Sequence, residues 1–240
     1  MPDANLDQAA AAVAASAYGC AGQRCMAGSV VVAVGNIADP LVEMLSKHAT
    51  SLRVGPTDGV EQVDMGPLIR PQHLRRVSSY LDVALSEGAR VVVDGRLNHK
   101  TDGFLLRPCI VDQVEPGMRL ASEEIFGPVL AVVRVNNLDE ALQLGRGCPY
   151  GNGASIFTQD GYAARQFKLH FNAGMIGINV GVPAPMAWFP FTGWNQSFFG
   201  DLHVQGAEGV HFYTRQQTTL TRWFESGEDS HDDPLWKGQK

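Results

Sequence analysis

Apolar runs of strand length alternate with helix-period segments along most of this chain, and that alternation restricts the fold more than any other feature of the sequence. "SVVVAVG", "ARVVVDG", "GPVLAVVRV", "GASIFT" and "GMIGINV" are short enough, and apolar enough, to predict buried strands. "ANLDQAAAAVAASAY" predicts a helix capped by Asn5, with Gln8 three residues on. "DPLVEMLSKHATSL" predicts a helix with Asp39 at the N-cap and Pro40 at the first helical position. The clearest helix, "PQHLRRVSSYLDVALSEG", runs from Pro71 to a stop at Gly88. "NLDEALQLG" and "DGYAARQFKLHF" predict two more. Strands separated by helices are βαβ units. The fold class is therefore α/β, with a mainly parallel sheet and helices on both faces. A chain of 240 residues, 45% of them hydrophobic, can bury one large core or two small ones.

The pattern changes near Pro183. "VPAPMAWFPFTGWNQSFFG" has three prolines, two tryptophans and four phenylalanines with little periodicity. It reads as an ordered loop packed against something, because so many aromatics are costly to leave in water. "VHFYTRQQTTLTRWF" then reads as a β-rich arm, and the polar tail begins at Glu225.

Charge and cysteine usage exclude several classes of function. The formal net charge is -6, from 19 basic and 25 acidic residues, which argues against a nucleic-acid binder. The adjacent pair Arg75 and Arg76 reads as a solvated helix face. No apolar run approaches the roughly 20 residues needed to span a membrane, and "MPDANLDQ" is too acidic and polar for a signal peptide. Cys20, Cys25, Cys109 and Cys148 form no Cys-x-x-Cys pair and no metal-ligand spacing, so no metal site is expected. They read as reduced thiols of a cytoplasmic protein, or of the mitochondrial matrix in a eukaryote. "GNGASI" begins like a nucleotide loop, but it lacks the third glycine and precedes a strand instead of following one.

The sharpest local signal is "GQRCMAGS", where Arg24 directly precedes Cys25 between a helix end and a strand start. Only a few per cent of a free thiol is thiolate at neutral pH, and a nearby cation raises that share. Arg24 is such a cation, although neighbouring side chains in an extended segment point apart. Its planar fork is also suited to an anionic substrate group. The bland alternative is a small cysteine packed at a helix–strand corner. A histidine-activated thiol chemistry finds no support, since none of the seven histidines sits in a recognisable motif, and His48, His73 and His170 read as helix-surface or boundary residues. "EEIFGPVL", residues 123 to 130, reads on its own as an acidic helix end followed by a Gly-Pro turn.

In this order, "AGQRC", "EEIFGPVL", "PYGNGASIFT", "GMIGINV" and "GVHFYTRQQTTLTRW" resemble the aldehyde dehydrogenase superfamily. The Arg-Cys pair, the "MPDAN" opening and "PFTG…SFFGDLH" resemble its CoA-acylating methylmalonate-semialdehyde branch. The resemblance covers nearly all of residues 1 to 224. It implies a catalytic domain over 1–189, an aromatic loop and oligomerisation β-arm over 190–224, and a tail over 225–240. It implies that Cys25 attacks the aldehyde carbon and carries a thioester, with NAD as oxidant and CoA as acyl acceptor. It also implies that Arg24 binds the substrate carboxylate and that Phe191 is a pocket aromatic. Glu124 would hold the nicotinamide ribose, and Phe126 would pack against the nicotinamide. Where the branch has Ser-Arg-like residues after "FTG", this chain has Trp194 and Asn195, so the pocket edge is expected to differ. The family's dinucleotide-binding fold and its oxyanion-hole asparagine precede "MPDAN". The chain is therefore expected to be a catalytic half, working as a homo-oligomer or beside a separate NAD-binding half. A non-catalytic remnant that keeps the fold is the competing expectation. A thiol-dependent esterase that uses Cys25 without NAD is a third.

Overall fold

The computed structural model describes residues 1–59, 61–96 and 103–223. Helix α1 spans Leu6–Tyr18, and the Asn5 side chain accepts a hydrogen bond from the Gln8 amide at 3.1 Å, as the capping pattern predicts. Its alanine-rich face is buried at Ala9, Ala10, Ala14 and Ala17. Strand β1 (Val30–Val34) follows, then helix α2 (Ala38–Ser51). This helix starts one residue before Asp39, which makes no N-cap. A 3₁₀ turn at Gly35–Ile37 feeds straight into the helix, and the Asp39 carboxylate instead accepts from Arg134 at 2.8 Å. Helix α3 (Pro71–Ser86) begins at its proline, and Gly88 has the positive φ, 93°, of a helix stop.

Strands β2 (Arg90–Val93), β3 (Cys109–Asp112) and β4 (Val129–Val135), with the short helix α4 (Arg119–Ser122) before β4, complete the main sheet. Its order is β1-β4-β3-β2. β4 runs parallel to both β1 and β3, and β2 is antiparallel to β3 at the edge. β3 escapes the sequence reading because its four residues, "CIVD", are too few to show a period. Leu45 of α2 and Leu81 of α3 pack with Ile110, Val111, Leu130 and Val132 of the sheet into one core. The buried Asp112 carboxylate is paired with Arg90 at 2.7 Å and Arg134 at 2.8 Å.

Helix α5 (Leu138–Gly147), strands β5 (Tyr150–Gly151) and β6 (Gly153–Ile156), helix α6 (Gly161–His170) and strand β7 (Met175–Ile178) follow in the expected alternation. β6 and β7 form a separate parallel pair, and β5 pairs with β8 (Trp194–Asn195). No helix among the described residues is long and apolar enough to cross a membrane.

Two C-terminal expectations need correction. The aromatic loop is ordered, with the Gln205 side chain donating to the Phe189 carbonyl at 2.9 Å, but it is not packed away. Trp188, Phe189 and Trp194 are exposed, and Phe199 is 95% exposed, because the two cores close without them. The described part of the arm, 210–223, is not a strand here: helix α7 spans Glu208–Tyr213, and residues 214–223 make no sheet pairing. The tail expected over 225–240 lies outside the described residues.

Candidate active site

Helix α1 ends in three consecutive left-handed residues, Cys20 (φ 53°), Ala21 (φ 54°) and Gly22 (φ 68°). For a residue with a Cβ this conformation costs roughly 1–2 kcal/mol, so the loop is held by what it touches. A Cβ at Gly22 would stand 2.2 Å from the Gly127 carbonyl oxygen. Only glycine lets the cysteine loop lie against the "EEIFGP" loop, and that approach joins the two stretches singled out from the sequence.

Arg24 folds back over the end of α1. Its Nη2 donates to the carbonyls of Ala15 at 2.8 Å and Ser16 at 3.1 Å. The Ala15 carbonyl also accepts from the Gly19 amide at the helix end, and α1 has no basic residue in its own last turn, so Arg24 supplies the cation there. The Arg24 Nε is buried without a hydrogen-bond partner. The loop is closed on the same turn by the Gly28 amide, which donates to Ser16 Oγ at 2.9 Å. Cys25 sits exposed at the tip. Its carbonyl, not its thiol, is held: Asn152 Nδ2 donates to it at 2.7 Å.

The two acids of "EEIFGP" have different surroundings. Glu123 accepts from Arg119 at 2.7 Å and from the Tyr80 hydroxyl at 2.6 Å. The Arg119 hydrogen bond first, then that of Tyr80, holds its carboxyl down at about 2. The Glu124 carboxylate is exposed and has no hydrogen bond among the described residues. Three successive carbonyls of this loop are gripped from α3. Arg76 donates to those of Glu124 at 2.7 Å and Ile125 at 2.9 Å, and His73 Nε2 lies 2.7 Å from that of Phe126. Arg76 is exposed, as a solvated helix face predicts, but its guanidinium is engaged with this loop. Phe126 is left-handed, with φ 58°, and its ring is 37% exposed. It faces an open cleft of about 940 Å³ shared with Cys20, Gln23, Ile69, Arg70 and His73. Gln23 stitches the cleft wall, donating to the Pro67 carbonyl at 3.4 Å and accepting from the Ile69 amide at 3.0 Å.

Phe191 is half-buried on the aromatic segment. Beside it Thr192 Oγ1 donates to the Gly174 carbonyl at 2.6 Å, which fixes this segment to the start of β7. The structure therefore brings Arg24, Cys25, Glu124 and Phe126 onto two touching loops. Phe191 belongs to the neighbouring layer, which reaches Cys25 through Asn152. Sequence reasoning missed Asn152, His73, Arg76 and Gln23. The available signal for Asn152 was "GNG", whose paired glycines do not belong to a nucleotide loop. His73 and Arg76 stand three residues apart on one helix face, but nothing local names their partners. Among the described residues no group of His, Cys, Asp or Glu could hold a metal ion.

An exposed cysteine thus stands on a loop braced by a glycine contact against an acidic, aromatic turn. The chain belongs to the aldehyde dehydrogenase family, whose sequence pattern matches residues 1–219. The malonate-semialdehyde dehydrogenase of Halalkalibacterium halodurans is 48% identical over 225 residues, covering 93% of this chain and 46% of its own length. The solved methylmalonate-semialdehyde dehydrogenase of Oceanimonas doudoroffii matches with a TM-score of 0.88 at 43% identity, over 94% of this chain and 47% of its own. A protein of Sinorhizobium meliloti 1021, solved complexed with NAD, has the same TM-score at 46% identity, over 95% of this chain and 47% of its own. The chain thus spans about half the length of the curated relatives it matches.

Proposed function

We propose that this chain carries the thiol-bearing half of an oxidoreductase that oxidises malonate or methylmalonate semialdehyde with NAD and transfers the acyl group to CoA. The observation that carries this reading is the seating of Cys25. It is exposed on a loop that Gly22 locks against the turn bearing Glu124 and Phe126. Cys25 Sγ, as thiolate, adds to the aldehyde carbon, and the carbonyl electron pair moves onto oxygen. When bound, NAD supplies an acceptor for the hydrogen and two electrons that leave that carbon. The acyl group then rests on Cys25 as a thioester, which is a good donor to a second thiol, that of CoA.

The chain's own groups fit such a cofactor. The Glu124 carboxylate has no hydrogen bond among the described residues and can accept from both hydroxyls of a ribose, and the Phe126 ring faces an open cleft. Arg24 is read as the donor to the substrate carboxylate, which requires its guanidinium to turn from α1, where Nη2 is held and Nε is buried. Phe191 is read as the pocket aromatic, residues 1–189 as the thiol domain and residues 190–224 as the assembly surface. The exposure of Phe199, Leu220 and Trp223 supports that last assignment.

The test is NADH formation by the purified protein with malonate semialdehyde, NAD and CoA, alongside Cys25→Ser. Loss of a thiol nucleophile removes roughly 10³-fold or more of the rate. Cys25 should also react with iodoacetamide faster than Cys20. Absence of turnover together with equal labelling of the two cysteines would identify a non-catalytic remnant instead.

A further inference from the structure

The "GNG" stretch belongs to neither the nucleophile loop nor the cofactor turn, yet it touches the nucleophile's own backbone. We propose that Asn152 is a positioning residue for Cys25. This rests on the reading of Cys25 as nucleophile.

The Asn152 amide has two neighbours, the Cys25 carbonyl oxygen at 2.7 Å and the Met26 sulfur at 3.2 Å. Both are acceptors, so the side chain must present its NH₂ to them, and the orientation of the amide is fixed by chemistry. A residue without a donor cannot take this place. The donor is also mounted rigidly. The Asn152 carbonyl accepts from the Met175 amide at 3.1 Å, and the Gly151 carbonyl accepts from the Gly174 amide at 2.9 Å. The Gly151 amide donates to Ser197 Oγ at 3.0 Å. The Asn152 side chain thus hydrogen-bonds the Cys25 loop to the β6–β7 pair.

The flanking glycines allow close approach around Asn152. A Cβ at Gly153 would stand 2.6 Å from Met26 Cε, the mobile end of a side chain that can turn aside, whereas one at Gly151 would stand 2.9 Å from the Asn172 carbonyl oxygen, which is backbone. Gly151 thus lets the chain before Asn152 lie against residues 172 and 194. Asn152 touches no thiol in this arrangement. It acts by fixing the main chain from which the Cys25 thiol projects, so its loss should alter the approach of Sγ to the aldehyde more than the binding of the aldehyde.

The experiment compares the protein with Asn152→Asp and Asn152→Leu. Asn152→Asp keeps the shape and replaces the donor by a carboxylate facing two acceptors. Native labelling by iodoacetamide is followed at each cysteine by peptide mass spectrometry. The buried Cys109 reports intact folding by remaining unlabelled, and Cys20 is the reference within the same molecule. The expected result is a change of about fivefold or more in the Cys25 rate, with Cys20 within about twofold. Turnover should show kcat lower by about 10–100-fold with little change in KM for the semialdehyde. If the parent protein proves inactive but the Cys25 rate still shifts, the catalytic reading fails and the positioning role stands. An unchanged Cys25 rate in a folded Asn152→Asp protein overturns the positioning role whatever the turnover. If only Asn152→Leu unfolds, Asn152→Asp alone decides.

Discussion

Replacing Gly22 by alanine tests the contact on which the site is built, and Gly88 supplies its control. Both glycines are left-handed, at φ 68° and 93°. A Cβ at Gly88 meets nothing within 4 Å, whereas one at Gly22 meets the Gly127 carbonyl oxygen at 2.2 Å and the Ala17 carbonyl oxygen at 3.1 Å. Gly88→Ala therefore reports backbone strain alone, about 1 kcal/mol. Gly22→Ala adds the displacement of a packed loop, about 1–3 kcal/mol more. The second loop cannot yield freely, because a Cβ-sized shift at Gly127 runs into Val77, where an added Cβ would stand 2.6 Å from Cγ1. In urea, with a slope of about 2–3 kcal/mol/M for a chain of this size, the midpoints of the two variants should differ by about 0.3–1.5 M. Cys25 labelling should change in Gly22→Ala and stay at the parental rate in Gly88→Ala. Equal midpoints and equal labelling would show that the two loops do not depend on each other, and the account of the site would be wrong.

Arg76→Ala frees the carbonyls of Glu124 and Ile125. Binding of NAD, followed by tryptophan fluorescence, should weaken about tenfold, the loss expected of charge-assisted hydrogen bonds, while Arg75→Ala leaves it unchanged. Glu123 is held at about 2, against an ordinary 4.5, chiefly by Arg119 and then Tyr80. A depressed folded pKa favours the native state above pH 4.5 and loses that contribution as pH falls towards 2. Glu123→Gln should accordingly flatten the pH dependence of the unfolding midpoint between those limits and leave its shape near pH 7 unaltered. Asp112→Asn removes a buried carboxylate shared by Arg90 and Arg134, and should cost about 2–3 kcal/mol in urea or thermal unfolding.

The strands were legible where burial on both faces makes them continuously apolar, as in β4, and the helices where a cap or a proline marks the start, as at Asn5 and Pro71. Asp39 misled because capping logic ignores what precedes it, and here the chain enters α2 already turning. The site was legible to the extent that it is local. Arg24, Cys25, Glu124 and Phe126 stand in two short motifs, but the meeting of those motifs through Gly22 and Gly127 is a tertiary fact. The role of Arg24 at the end of α1 was hidden for the same reason, since a guanidinium eight residues beyond Ser16 shows nothing in sequence of the carbonyls it will meet. The β-arm over 210–224 had the composition of a strand, "TTLT" included, but composition does not supply a neighbouring edge.

The order β1-β4-β3-β2 has a consequence for how the protein reaches this state. Val30 must find Ala131, and Cys109 must find Val129, before the central strands exist. The sheet therefore waits on the closure of long loops, the slow route among small folds. Throughout that search the Cys109 thiol is as open to solvent as Cys25. It becomes buried, with its proton held up to about 12 by desolvation, only once β3 lies between its neighbours. The two cysteines thus keep different time during refolding. One stays chemically available from unfolded chain to native protein, and the other falls silent at the moment the parallel sheet closes.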